Sequence, residues 1–112
     1  MNVPWAVTPA KIDAAIRTIV KHERPRKVIV FGSAAHGATD RNSDVDILVV
    51  TRTNPASSRK ASVRIRRALR GISMPMDILV ISEPRLRRLA ARPGLIYREA
   101  LEHGKVVYDA ST

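Results

Sequence analysis

The stretch "NSDVDILVV", residues 42–50, decides how this chain is read. Val45, Ile47, Leu48, Val49 and Val50 form an apolar run of the length and β-branched character of a buried strand. Asp44 and Asp46 stand where that strand begins, and carboxylates enter a core only when something there holds them. The arrangement returns in "MPMDILVIS", residues 74–82, where Asp77 precedes Ile78, Leu79, Val80 and Ile81. Two neighbouring strands in one sheet explain the echo without duplication.

Working outward, Thr8 followed by Pro9 is an N-cap with proline at the first helical position, and Ile12, Ala15, Ile16, Ile19 and Val20 recur at helical spacing. "VIVF" (28–31) is short, β-branched and closed by glycine, so it reads as a strand leading into the small-residue loop "GSAAHGATDRNS". Asn54 and Pro55 repeat the helix start, and Ala61, Ile65, Ala68, Leu69 and Ile72 give a second amphipathic helix with Gly71 near its end. "SEPRLRRLAAR" and "PGLIYREALEHG" read as two short helices and "KVVYD" as a closing strand. The fold class is therefore α/β, a small mixed sheet covered by helices on at least one face. With 112 residues the chain is expected to be one domain, 1–112.

Composition narrows the chemistry. The absence of cysteine excludes disulfides, thiolate metal sites and nucleophilic thiols, which fits the cytoplasm. No basic leader precedes an apolar segment and no apolar run reaches membrane-spanning length, so no membrane association is expected. A formal charge of +10, carried mostly by arginine, favours anionic partners. Arg59, Lys60, Arg64, Arg66, Arg67 and Arg70 cover the outer face of the second helix, and any nucleic-acid binding is expected to be weak, sequence-independent and salt-sensitive.

The acids carry the chemistry. In a strand Asp44 and Asp46 project to one side, and Asp77 joins them if its strand lies alongside. Three carboxylates this close repel unless a divalent cation sits among them, and all-oxygen ligands select Mg²⁺ or Mn²⁺. Upstream, Gly32-Ser33 ends a strand in a turn that presents backbone N–H groups and a hydroxyl, an anion-holding arrangement. The natural common ligand of the two features is a nucleoside triphosphate with its Mg²⁺. His36, inside that loop, reads equally as a phosphate contact or a solvated side chain, and His22 and His103 read as helix-end residues. Tyr97 and Tyr108 read as packing residues.

Gly32-Ser33, ten residues "AAHGATDRNS", then Asp44-Val45-Asp46, resembles the signature of the nucleotidyltransferases of the DNA polymerase β superfamily, and among them the minimal, MNT-type members. The resemblance implies two Mg²⁺ ions on Asp44, Asp46 and Asp77, and ATP whose phosphates contact Gly32 and Ser33; Arg41, which can stand in for missing loop arginines, and Ser43 are further candidate nucleotide-binding residues. It implies transfer of AMP to a hydroxyl, with a tyrosine of a separately encoded HEPN-type toxin as acceptor and this chain as antitoxin; a homo-oligomer is compatible with it. The chain departs from the common "GSRARG" loop, having Ala34 and His36 where relatives carry arginine. Two alternatives follow: a nucleotide-binding module that neutralises its toxin by contact alone, and an RNA-modifying transferase, the latter short of aromatic residues for stacking bases.

Overall fold

The computed structural model describes residues 6–32, 44–52, 58–90, 92 and 96–111. Eight elements follow one another: α1 (Pro9–Glu23), β1 (Lys27–Phe31), β2 (Val45–Thr51), α2 (Ser58–Ala68), β3 (Met76–Ser82), α3 (Glu83–Ala90), α4 (Ile96–His103) and β4 (Lys105–Asp109). The strands make one mixed sheet in the order β3-β2-β1-β4. β1 is antiparallel to both β2 and β4, whereas β2 and β3 run parallel with α2 as their crossover.

The internal echo in the sequence is the register of the parallel pair. Val45 lies opposite Met76, Asp46 opposite Asp77, and so on to Thr51 opposite Ser82, residue for residue along "VDILVVT" and "MDILVIS". Both strands sit between two apolar layers, which is why they are apolar at nearly every position rather than at alternate ones.

Alternation divides the core in two. Val28, Val30, Val45, Ile47, Val49 and Ile78 face Ala15 and Ile19 of α1 and Ile65 of α2, with Leu69 just beyond that helix. Ile29, Phe31, Leu48, Val50 and Ile81 face Leu86 of α3 and Ala100 of α4. The sheet is thus covered on both faces, by two helices each. Tyr108 packs at the first core and Tyr97 at the second, as packing residues.

Helix ends follow their sequence signals where these are described. The Thr8 side chain accepts from the Lys11 N–H and Pro9 opens α1, while Arg24 closes it with a left-handed backbone and its N–H on the Val20 carbonyl. The cap at Asn54-Pro55 and the loop turn after Gly32 lie outside the described residues. α2 ends at Ala68, and the chain turns through Gly71. His22 and His103 occupy the last turns of α1 and α4. At Gly104 the chain doubles back from α4 into β4 so tightly that a Cβ would run into the Ala100 carbonyl oxygen and the Ile29 side chain. Among the described residues no helix is long and apolar enough to cross a membrane.

Candidate functional site

The sheet brings one end of three strands together. β1 runs toward this end and finishes at Phe31, whose partner is Asp46 near the start of antiparallel β2. β3 is parallel to β2, so it also starts here, and Asp77 is the direct register partner of Asp46. Residues opposite one another on adjacent strands share a face about 4.8 Å apart, so the carboxylates of Asp46 and Asp77 leave the sheet side by side. By alternation that face is the one carrying Leu48, Val50, Leu79 and Ile81, the face covered by α3 and α4. Asp46 is half-buried at the rim of that core, and Asp77 is exposed.

Asp44 corrects one expectation. β2 begins at Val45, so Asp44 is outside the ladder, exposed, and its direction is not set by strand alternation. The reason is the partner chain segment: Val45 donates its N–H to the Pro75 carbonyl, and Pro75 itself has no N–H with which to extend the pairing. Asp44 nevertheless remains close enough to Asp46 for its charge to be felt there.

Gly32 ends β1 in the left-handed region at φ 75°, and a Cβ at this position would collide with an Asp46 carboxylate oxygen. Glycine is required twice, for its backbone angle and for the room it leaves. The Asp46 carboxylate therefore lies directly over the turn where β1 ends. Ser33, His36, Arg41 and Ser43 lie outside the described residues.

Burial pushes the Asp46 carboxyl above the ordinary carboxylate value, and the negative charges of Asp77, Asp44 and Glu99 push it the same way. Glu99 escaped the sequence reading. It sits on α4 beside buried Ala100, and α4 lies across β1, which carries a fourth carboxylate toward the sheet end. Its only signal in the sequence is adjacency to a small residue on an amphipathic helix, which says nothing until the crossing of α4 over β1 is known.

No lysine or arginine among the described residues forms an ion pair with any of these four acids. An all-oxygen donor set with uncompensated negative charge fits a hard divalent cation such as Mg²⁺. The acids do not already form a cage: among the described residues no three acidic or imidazole side chains stand grouped to hold an ion. They share one electrostatic neighbourhood, and a cation would have to draw them together.

A mixed four-stranded sheet between helix pairs, with a glycine turn under one of two register-paired aspartates, is the frame of a nucleotidyltransferase fold. The family model for polymerase beta nucleotidyltransferases matches residues 14–112, and the chain belongs to that family. Among individual relatives, it is 42% identical over 65 residues to a protein of Methanocaldococcus jannaschii named as a candidate protein adenylyltransferase. That match takes in 58% of this chain and 63% of the relative, so the chain spans less than two thirds of that protein's length. Among solved structures, a chain of a toxin–antitoxin complex crystallised with AMP-PNP superimposes with a TM-score of 0.55 at 20% identity, over 87% of this chain and 73% of that one. A candidate nucleotidyltransferase from Sulfolobus solfataricus does so at 0.53 and 21% identity, over 95% and 93%.

Proposed function

We propose that this chain, acting as a single nucleotidyltransferase unit over residues 1–112, transfers AMP from ATP to a protein hydroxyl. The acceptor in this reading is a tyrosine of a separately encoded HEPN-type toxin in the cytoplasm, and the chain is the antitoxin. The observation that carries the reading is the side-by-side pair Asp46 and Asp77, with Asp46 over the Gly32 turn. The likeness to a protein named for protein adenylylation and to a chain from a toxin–antitoxin complex with AMP-PNP supports it.

In this reaction the acceptor oxygen attacks the α-phosphorus of ATP, the bond from that phosphorus to the α–β bridging oxygen breaks, and pyrophosphate leaves. The acceptor proton passes to Asp77, the more exposed of the register pair, and from there to solvent. Asp44, Asp46 and Asp77 would hold Mg²⁺, which when bound neutralises the charge of the triphosphate and of the leaving group. In this reading Gly32, Ser33, Arg41 and Ser43 bind the phosphates. Asp46, wedged between the rim of the core and Gly32, fixes where the triphosphate can sit. Placing the reactants and stabilising developing charge are the whole of what such a site must do.

The test is to combine the chain with the product of the adjacent reading frame, ATP and Mg²⁺, and to measure intact masses. AMP should add to the partner in one or more increments, and none should add with an Asp44→Ala, Asp46→Ala double variant. Ala34 and His36, standing in the loop where relatives carry arginine, favour a second reading, a module that neutralises its toxin by contact alone. A stable, inhibited and unmodified partner would select it.

A further inference from the structure

The face of the molecule farthest in character from the acidic site is the outside of α2. In Ser58–Ala68, SRKASVRIRRA, there is no acid, and the first turn carries Arg59 and Lys60, the wrong sign for a helix N-terminus. Ala61 and Ile65 bury one side of the helix, and the cations are displayed on the other. Two cations at the flanks are tied down. Arg64 grips the Glu23 carboxylate of α1 through two hydrogen bonds of 3.0 and 2.8 Å, and Arg66 donates to the Ile78 carbonyl of edge strand β3 at 3.4 Å. Between them Arg59, Lys60 and Arg67, joined beyond the helix by Arg70, form an exposed ridge without an acidic partner among the described residues. Arg59, Lys60, Val63, Arg64 and Arg67 line a recess of about 360 Å³ along it.

Arg64 has its charge answered by Glu23, but Arg59 beside Lys60, and Lys60 and Arg67 two turns apart on one side of the helix, leave like charges that repel without an acidic partner among the described residues. An anionic ligand removes that repulsion and satisfies the helix N-terminus together. We propose that the outer ridge of α2 is a docking face for the backbone of duplex DNA, separate from the carboxylate site and on the opposite side of the sheet.

Charge and shape choose this occupant. A protein partner needs a desolvated apolar or aromatic anchor, and among the described residues the recess offers only Val63, 44% exposed, beside its cations. Single strands are held by aromatic stacking; the chain has one Trp, two Tyr and one Phe, and Phe31, Tyr97 and Tyr108 are committed to the two cores. A helix about 10–12 Å across fits the B-form major groove, about 12 Å wide, whereas the A-form RNA groove is too narrow for it. From Arg59 to Arg67 the ridge runs roughly 12 Å along the helix, about the width of the groove, enough to meet phosphates at its lips.

Fluorescence anisotropy with a labelled duplex DNA of about 24 base pairs and arbitrary sequence, titrated across KCl concentrations, tests the proposal. The triple variant Arg59→Gln, Lys60→Gln, Arg67→Gln should lower the slope of log K against log salt by about 2.7, close to 0.9 per cation, and weaken binding at least ~10-fold near 0.1 M salt. A charge-matched control, Arg85→Gln, Arg88→Gln, Arg92→Gln, should keep the wild-type slope. Equal loss in the control would mean that net charge alone binds DNA and would overturn the proposal. So would equal or tighter binding of duplex RNA of the same sequence, or displacement of DNA by a polyglutamate peptide of equal charge. Thermal unfolding monitors folding of the triple variant; should it not fold, Arg67→Gln alone should lower the slope by about 0.9. DNA binding should persist in the Asp44→Ala, Asp46→Ala variant.

Discussion

Asp46 sits where three demands meet: the apolar rim behind it, Gly32 beneath it, and three other carboxylates around it. Its folded-state pKa is raised above the 3.8 of a free side chain, first by burial and then by Asp77, Asp44 and Glu99. Ionisation of Asp46 therefore destabilises the folded chain. The penalty is absent below pH 3.8 and complete once the pH has risen past the folded value. Asparagine cannot ionise, so without metal Asp46→Asn should unfold at a higher temperature than wild type at neutral pH. The two should converge as the pH falls toward 3.8. Thermal unfolding in chelator-treated buffer across that range measures it, and a gap independent of pH would mean that packing and not charge separates them. Asp46 and Asp77 at the strand mouths were legible in the sequence because acids there conflict with the core behind them; that Asp44 stands outside the ladder was not. Glu99 was not, because nothing within α4 conflicts with an exposed glutamate.

At the scale of elements, local chemistry was most legible where it closes on itself within a few residues. Thr8 and Pro9 specify the start of α1 without help from the rest of the fold, and the Thr8 hydroxyl does accept the Lys11 N–H at 3.2 Å. Thr8→Ala should lower stability by about 1 kcal/mol, read from the urea midpoint. Arg17→Ala, which breaks only an exposed i,i+4 pair with Asp13, should stay within about 0.5 kcal/mol of wild type. The alignment of the paired motifs "VDILVVT" and "MDILVIS" is also the ladder register of the parallel pair. The span of β2, Val45–Thr51, was legible in its apolar run, but that the ladder excludes Asp44 was not: Pro75 has no N–H to continue it, and that requires knowing that β3 is the neighbour.

The whole molecule is organised by an order of strands that no local pattern announces, β3-β2-β1-β4. Apolar runs such as Val28–Phe31 and Val45–Val50 identify buried strands; only the assembled layers reveal that both faces are covered and that Leu86 and Ala100 complete the second. The same order determines the route by which the chain can fold. β2, α2 and β3 are contiguous, while β1 reaches its other neighbour only by joining residue 27 to residue 109, a closure of roughly 80 residues. Such long-range pairing forms late, and its ladder is short and carries a bulge beside Val28 and Ile29. Amide hydrogen exchange should therefore find β4 opening at lower free energy than β2. α4 is joined to β4 through the tight turn at Gly104, so the helix that carries Glu99 is continuous with the strand that pairs over the longest range. The negative neighbourhood of Asp46 is thus gathered from residue 44 to residue 99, and part of it is supplied by the helix that leads directly into the closing strand.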